Sequence, residues 1–136
     1  LIMTEEKCGK STPNGQQGKG GISLWDVSDP SNPHALKQHF LDTEIHNTYA
    51  WTADNGRSYL IAVDDLNVND VIIVDITKPQ APKTVAVTGI GDWLDGLYPQ
   101  IADDEQLFTG NFAAPLLHDV WVDKIDGQYT VTDLSK

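Results

Sequence analysis

The sequence predicts an all-β fold, and three observations lead there. First, one strand and one turn are written twice, as "GGISLWDVSDPSNP" at 20–33 and "NDVIIVDITKPQAP" at 69–82. Both runs are apolar, rich in β-branched residues and about the length of a strand. Each ends in an Asp-apolar pair followed by two prolines three apart, Pro30 and Pro33 or Pro79 and Pro82. Two prolines fix φ twice and remove two donors, so the strand must stop there. Second, an upstream apolar strand closed by paired acids also recurs. Residues 1–6 end in Glu5-Glu6, and residues 60–65 end in Asp64-Asp65. Third, no helical periodicity of useful length occurs outside 89–117, whereas Asn55-Gly56 and Asp126-Gly127 lie between strand-like runs. Asn-Gly and Asp-Gly in that position are strong hairpin signals.

Taken in chain order, residues 1–6 read as a strand and 7–20 as a Gly-rich loop. Residues 21–27 are the next strand, followed by the proline turn and an outer strand at 35–40. The second unit opens at "HNTYAW", 46–51, and turns at Asp54-Asn55-Gly56. It continues through strand 60–65, the short loop 66–69, strand 70–76, the second proline turn and an outer strand at 83–88. Residues 89–117 read as an insertion. It carries Asp92, Asp95, Asp103, Asp104 and Glu105 beside Trp93, Leu94, Tyr98 and Phe108. "HDVWVD" at 118–123 then repeats the opening of the second unit.

One unit is therefore four strands. The two openings lie at 46 and 118, and setting the insertion aside brings their spacing near the ~40–50 residues of a four-stranded propeller blade. The predicted architecture is a β-propeller of which about two to three blades are represented. Residues 1–40 are the end of one blade with its Gly-rich loop, 41–88 a complete blade, 89–117 the acidic and aromatic insertion, and 118–136 the start of a further blade. A four-stranded sheet cannot bury both faces alone, and stacked blades cover one another. A closed propeller needs at least four blades. The expectation is that this is a piece of a longer chain, or that several copies close the ring. "LIMTEE", which reads as the inside of a strand, fits the first.

Charge narrows the partners. Twenty acidic side chains against nine basic ones give a formal charge of −11, which repels phosphate backbones and argues against nucleic acid. Cations and basic partners are favoured. The single cysteine, Cys8, allows no internal disulfide and no CxxC site. No apolar run approaches the ~20 residues of a membrane span.

With these residues in view, "DVIIVDITKPQAP" and "GISLWDVSDPSNP" resemble the LVIVD-repeat proteins, a bacterial and archaeal group of surface or secreted β-propellers. "LLHDVWV" resembles the segment opening a blade in that group. The resemblance covers most of the chain outside 89–115. It implies the propeller fold and an extracellular or cell-surface location, with no assigned reaction. Trp25-Asp26 resembles the WD40 signature less well, because the second copy has Val74-Asp75 and the Gly-His pair is missing.

Each chemical constellation has a structural alternative. One acid from Glu5-Glu6 or Asp64-Asp65 is placed to face a loop or channel and bind a hard cation such as Ca²⁺; the favoured structural alternative is that the pairs cap strand ends and accept backbone N–H bonds. His46 and His118 each open an innermost strand, where converging imidazoles suit a transition metal; a repeated position also suits a structural histidine. The candidate metal ligands are thus His46, His118, Asp64 and Asp65. His34 and His39 read as surface residues on an outer strand. Trp93 is a candidate carbohydrate contact, while Trp25, Trp51 and Trp121 read as packing between blades. No GxSxG, SxxK or HExxH occurs, and Cys8, between Lys7 and Lys10, has no evident catalytic partner. The sequence thus favours a non-catalytic structural or protein-interaction module, engaging a protein partner or assembling with itself. The alternative is a metal-dependent binding protein or hydrolase with its site at the channel mouth.

Overall fold

The computed structural model describes residues 1–6, 18–64, 70–89 and 119–133. Cys8, Asp65, Trp93, His118 and nearly all of the insertion lie outside them. The described residues form nine strands in three antiparallel sheets. β1 (Ile2–Glu5), β2 (Gly21–Asp26) and β3 (His34–Phe40) make the first sheet. β4 (Ile45–Thr52), β5 (Ser58–Asp64), β6 (Val71–Asp75) and β7 (Lys83–Thr88) make the second, in sequential order. β8 (Val120–Ile125) and β9 (Gln128–Asp133) form a hairpin. The fold is all-β, and the four-stranded unit has the predicted strands.

The duplicated sequence produces duplicated local structure. After β2, Asp26 Oδ1 accepts from Ser28 N at 2.8 Å and Asp29 O accepts from Asn32 N at 3.1 Å. After β6, Asp75 Oδ1 accepts from Thr77 N at 2.9 Å and Lys78 O accepts from Ala81 N at 2.8 Å. An Asp that caps the amide two residues on is an Asx turn, and a proline behind it holds the reversal. The next strand repeats too. Leu24 pairs with Lys37 and Trp25 with Ala35, which leaves Leu36 as a bulge. Ile73 pairs with Ala86 and Val74 with Thr84, which leaves Val85 in the same place. Bulges bend a strand and increase its twist, so both outer strands curl alike.

One device belongs to the first sheet alone. Between Ile22↔Phe40 and Leu24↔Lys37 a further residue is inserted, and His39 takes φ +51°. Opposite it, Gly21 has φ +107°, and a Cβ there would stand 2.4 Å from Phe40 O. Only glycine fits this close approach.

The central strands of the middle sheet, β5 and β6, are covered on both faces. Leu60, Ala62, Ile72 and Val74 project one way and pack with Ile22, Leu24 and Ile45. Ile61, Val63 and Val71 project the other way and pack with Val120 and Val122. Alternate residues of a strand face opposite sides, so the near-continuous apolar runs of β5 and β6 record two buried faces. The two sheets on either side thus supply cover to both faces of β6 within this chain. Exposed apolar groups lie on the two outermost sheets, Leu1 (64% exposed) and Met3 (45%) at one end and Trp121 (50%) and Ile125 (52%) at the other, and also on the edge strand β7 of the middle sheet, at Val85 and Val87.

β4 packs against β1 on one side and β8 on the other, while β3 and β7 make no comparable approach.

Candidate functional site at the loop-bearing end

Strand direction divides the molecule into two ends. β1, β5 and β7 finish, and β2, β4, β6 and β8 begin, at one end. The other end carries the tight turns. It holds the two proline turns and the five-residue loop between Thr52 and Ser58. It also holds the Asp126-Gly127 reversal, where both residues have positive φ (+50° and +79°) and match the I′ turn expected of Asp-Gly. The Asn55-Gly56 pair sits inside the longer loop, and of that pair only Gly56 has positive φ.

The loop-bearing end gathers carboxylates and histidines. Glu5, at the end of β1, accepts from Ser23 Oγ at 2.9 Å, and His39 Nδ1 lies 2.7 Å from its other oxygen. The backbone N of His39 in turn donates to Ser23 Oγ at 3.3 Å. Ser23 is fully buried, so these bonds satisfy a hydroxyl that would otherwise cost free energy. The left-handed bulge brings His39 to Glu5. His39 is therefore not a plain surface residue, as the sequence suggested, but part of a Ser–Glu–His clasp across three strands.

The paired acid Glu6 turns to the next sheet, where its Oε1 lies 2.7 Å from His46 Nδ1. Asp64, buried at the end of β5, accepts from Thr43 Oγ1, which is 2.9 Å from both carboxylate oxygens. Its amide donates to Asp70 O at 2.8 Å and closes the β5–β6 ladder. Asp42 Oδ1 accepts from Gly20 N at 3.3 Å. Asn47 Nδ2 donates to Asp119 Oδ1 and ties the start of β4 to the residue just before β8.

Two of the four expected ligands are thus placed. His46 is oriented by Glu6, and Asp64 is held by Thr43. His118 and Asp65 lie outside the described residues. Among the described residues, no three His, Cys, Asp or Glu side chains converge as a metal cluster. The hydroxyl of Ser23 donates to the Glu5 carboxylate and accepts from the backbone N–H of His39, so the His39 imidazole is not its proton acceptor.

The aromatics pack between sheets as well as within one. Tyr49 and Trp121 have ring centroids 5.1 Å apart, and Trp51 lies 5.5 Å from Tyr59 and 6.3 Å from Tyr129. Tyr129 also clamps the β4–β5 loop: its hydroxyl donates to Asp54 Oδ1 at 3.0 Å and accepts from Asp54 N at 2.9 Å. The Lys124 ammonium, then the Tyr129 hydroxyl, hold the Asp54 carboxyl below its ordinary pKa.

The Ser23–Glu5–His39 clasp has no signature in the spacing of its residues along the chain. Pairing 1–6 against 21–26 in register would have placed Glu5 beside Gly21 and Met3 opposite Ser23. The bulge at His39 carries no signal of its own. No family model matches the sequence, and no curated protein or solved structure matches it.

Proposed function

We propose that this chain is a non-catalytic structural or protein-interaction module of an exported, cell-surface protein, built as consecutive blades of a β-propeller. The observation that carries the reading is which strands of neighbouring sheets approach one another. β4 approaches both β1 and β8, while β3 and β7 make no comparable approach, a pattern expected of inner and outer strands of blades around an axis. The shared turn, cap and bulge of the first two sheets support it, because equivalent units place equivalent residues at equivalent corners. The exported location rests on the resemblance to LVIVD-repeat proteins.

The two outermost sheets present different apolar surfaces. Leu1 and Met3 project from the first sheet, and Trp121 and Ile125 from the hairpin. Contact between two unlike surfaces is head-to-tail, and it closes into a ring or propagates as a filament. Exposed apolar groups on sheet ends favour such association. Sedimentation velocity on the full chain tests the module. Concentration-dependent assembly is expected, and Met3→Glu or Ile125→Glu, alone, should each suppress it. A monodisperse monomer at every concentration, or assembly indifferent to both substitutions, contradicts the reading.

A second reading, a metal-dependent binding protein, is favoured by one observation. Glu6 holds His46 Nδ1, the way carboxylates orient metal-binding imidazoles. Elemental analysis of purified protein separates the two: a stoichiometric transition metal, lost in His46→Ala, would select the second.

A further inference from the structure

Opposite the loop-bearing end, a groove of about 360 Å³ opens between the β4–β5 loop and the second proline turn. Arg57, Asp75, Thr77, Lys78, Ala81 and Lys83 line it. Three of the nine basic residues of a chain with formal charge −11 are therefore gathered on one cavity. A concave site lined by one sign of charge focuses its field on small ions. The one carboxylate present, Asp75, is already engaged, accepting from Arg57 and from Thr77 N at 2.9 Å. It cancels one positive charge, and the local excess is two.

The duplicated turn provides an internal comparison. The first turn has the same strand, the same Asx cap and the same prolines, but Asp29 stands where the second has Lys78, and His34 where it has Lys83. There Asp26, the counterpart of Asp75, accepts from Ser28 N and has the His34 imidazole, at 3.6 Å, in place of a guanidinium. What the two copies share is what the turn needs in order to fold. The cations are absent from the first copy, so the turn does not need them. Like charges gathered at one place repel, and an arrangement of that kind is explained by a ligand that neutralises them.

We propose that this groove binds a divalent oxyanion, a sulfate or phosphate-type group, between Lys78 and Lys83, with Arg57 supplying a further donor. Arg57 fits the part, because guanidinium carries five N–H groups in a fixed fork and Asp75 does not use them all. Its side chain is half exposed (53%). Thr77 and Ala81 also line the groove, and the proline turn holds the two lysines on a stiff support. A divalent anion matches the excess of two charges, whereas a monovalent one leaves a cation unneutralised.

The test is a titration of the isotopically labelled full chain, followed by amide and Arg side-chain NMR shifts at constant ionic strength in chloride. One arm uses inorganic sulfate and phosphate; a second uses glucose 6-sulfate and glucose 6-phosphate, with glucose as the neutral control. Saturable shifts confined to Arg57, Thr77, Lys78 and Lys83 are expected. Lys78→Gln with Lys83→Gln should weaken the affinity at least tenfold, and Lys37→Gln should leave it unchanged. Both lysines are exposed, so the double variant should fold, and its unchanged spectrum elsewhere checks this. Tighter binding of the esters assigns the site to a sugar-borne group, and equal binding assigns it to the free ion; both uphold the site. Shifts that fail to saturate, that spread over Lys37 and Lys124 alike, or that persist in the double variant would overturn it.

Discussion

Two glycines with positive φ separate two causes of cost. Gly21, at φ +107°, is hemmed in by Phe40 O and Leu41 O, which a Cβ would approach to 2.4 and 2.5 Å. Those are backbone atoms and cannot give way. Gly127, at φ +79°, faces open space. Gly127→Ala should therefore cost about 1 kcal/mol, the conformational strain alone. Gly21→Ala should cost roughly 3 kcal/mol, since the clash adds to the strain. Denaturant titration of the two variants measures the difference, and equal losses would remove the close approach from the account. Asp75 supplies a pH dependence at the same scale. Hydrogen bonds from Thr77 first, and the Arg57 guanidinium next, hold its carboxyl well below the ordinary value of 3.8. A carboxyl with a lowered folded pKa contributes stability that is present above the unfolded value and lost as pH falls through the folded one. Acidification below about pH 4 should thus weaken the fold progressively. Asp75→Asn should lower stability at neutral pH and flatten this acid limb, as thermal melts between pH 2 and 7 would reveal.

At the scale of elements, burial ranks the strands. Leu60 and Val74 are fully buried cross-strand partners in the covered sheet, and Leu60→Ala should cost about 2–5 kcal/mol. Val85 is the bulged, exposed residue of an outer strand (52%), and Val85→Ala should stay within about 0.5 kcal/mol. The duplicated caps give a second ranking. Asp26→Ala and Asp75→Ala both remove an Asx cap, but only the second also strands Arg57, so it should destabilise more. These elements also show what the sequence discloses. The duplicated strand and proline turn were legible because β-branched runs and Pro spacing are local signals, and both turns fold alike. Asp126-Gly127 was legible for the same reason. The bulge at His39 was not, since nothing in "KQHFLD" marks which residue turns left-handed. Of the candidate ligands, Asp64 and His46 stand at the loop-bearing end where strand alternation put them. Their partners Thr43 and Glu6 belong to other segments, brought near by packing between sheets, and no spacing along the chain encodes that packing. The basic groove was hidden likewise, because Arg57 and Lys83 meet only once β5, β6 and β7 are aligned.

For the whole molecule, the central claim is that the sheets fan around an axis. A flat sandwich would hold its sheets about 10 Å apart along their full width; a fan brings inner strands together and parts the outer ones. The duplicated units supply matched positions for a ruler. Thr52 and Lys124 are counterparts on the inner strands β4 and β8, and Lys37 and Ala86 are counterparts on the outer strands β3 and β7. All four are exposed and accept a label. Pulsed electron-spin distances on the full chain, in a Cys8→Ser background with one labelled pair at a time, measure the splay directly. The account predicts a clearly longer distance for Lys37–Ala86 than for Thr52–Lys124. Equal distances for the two pairs would contradict it and make the three sheets a flat stack.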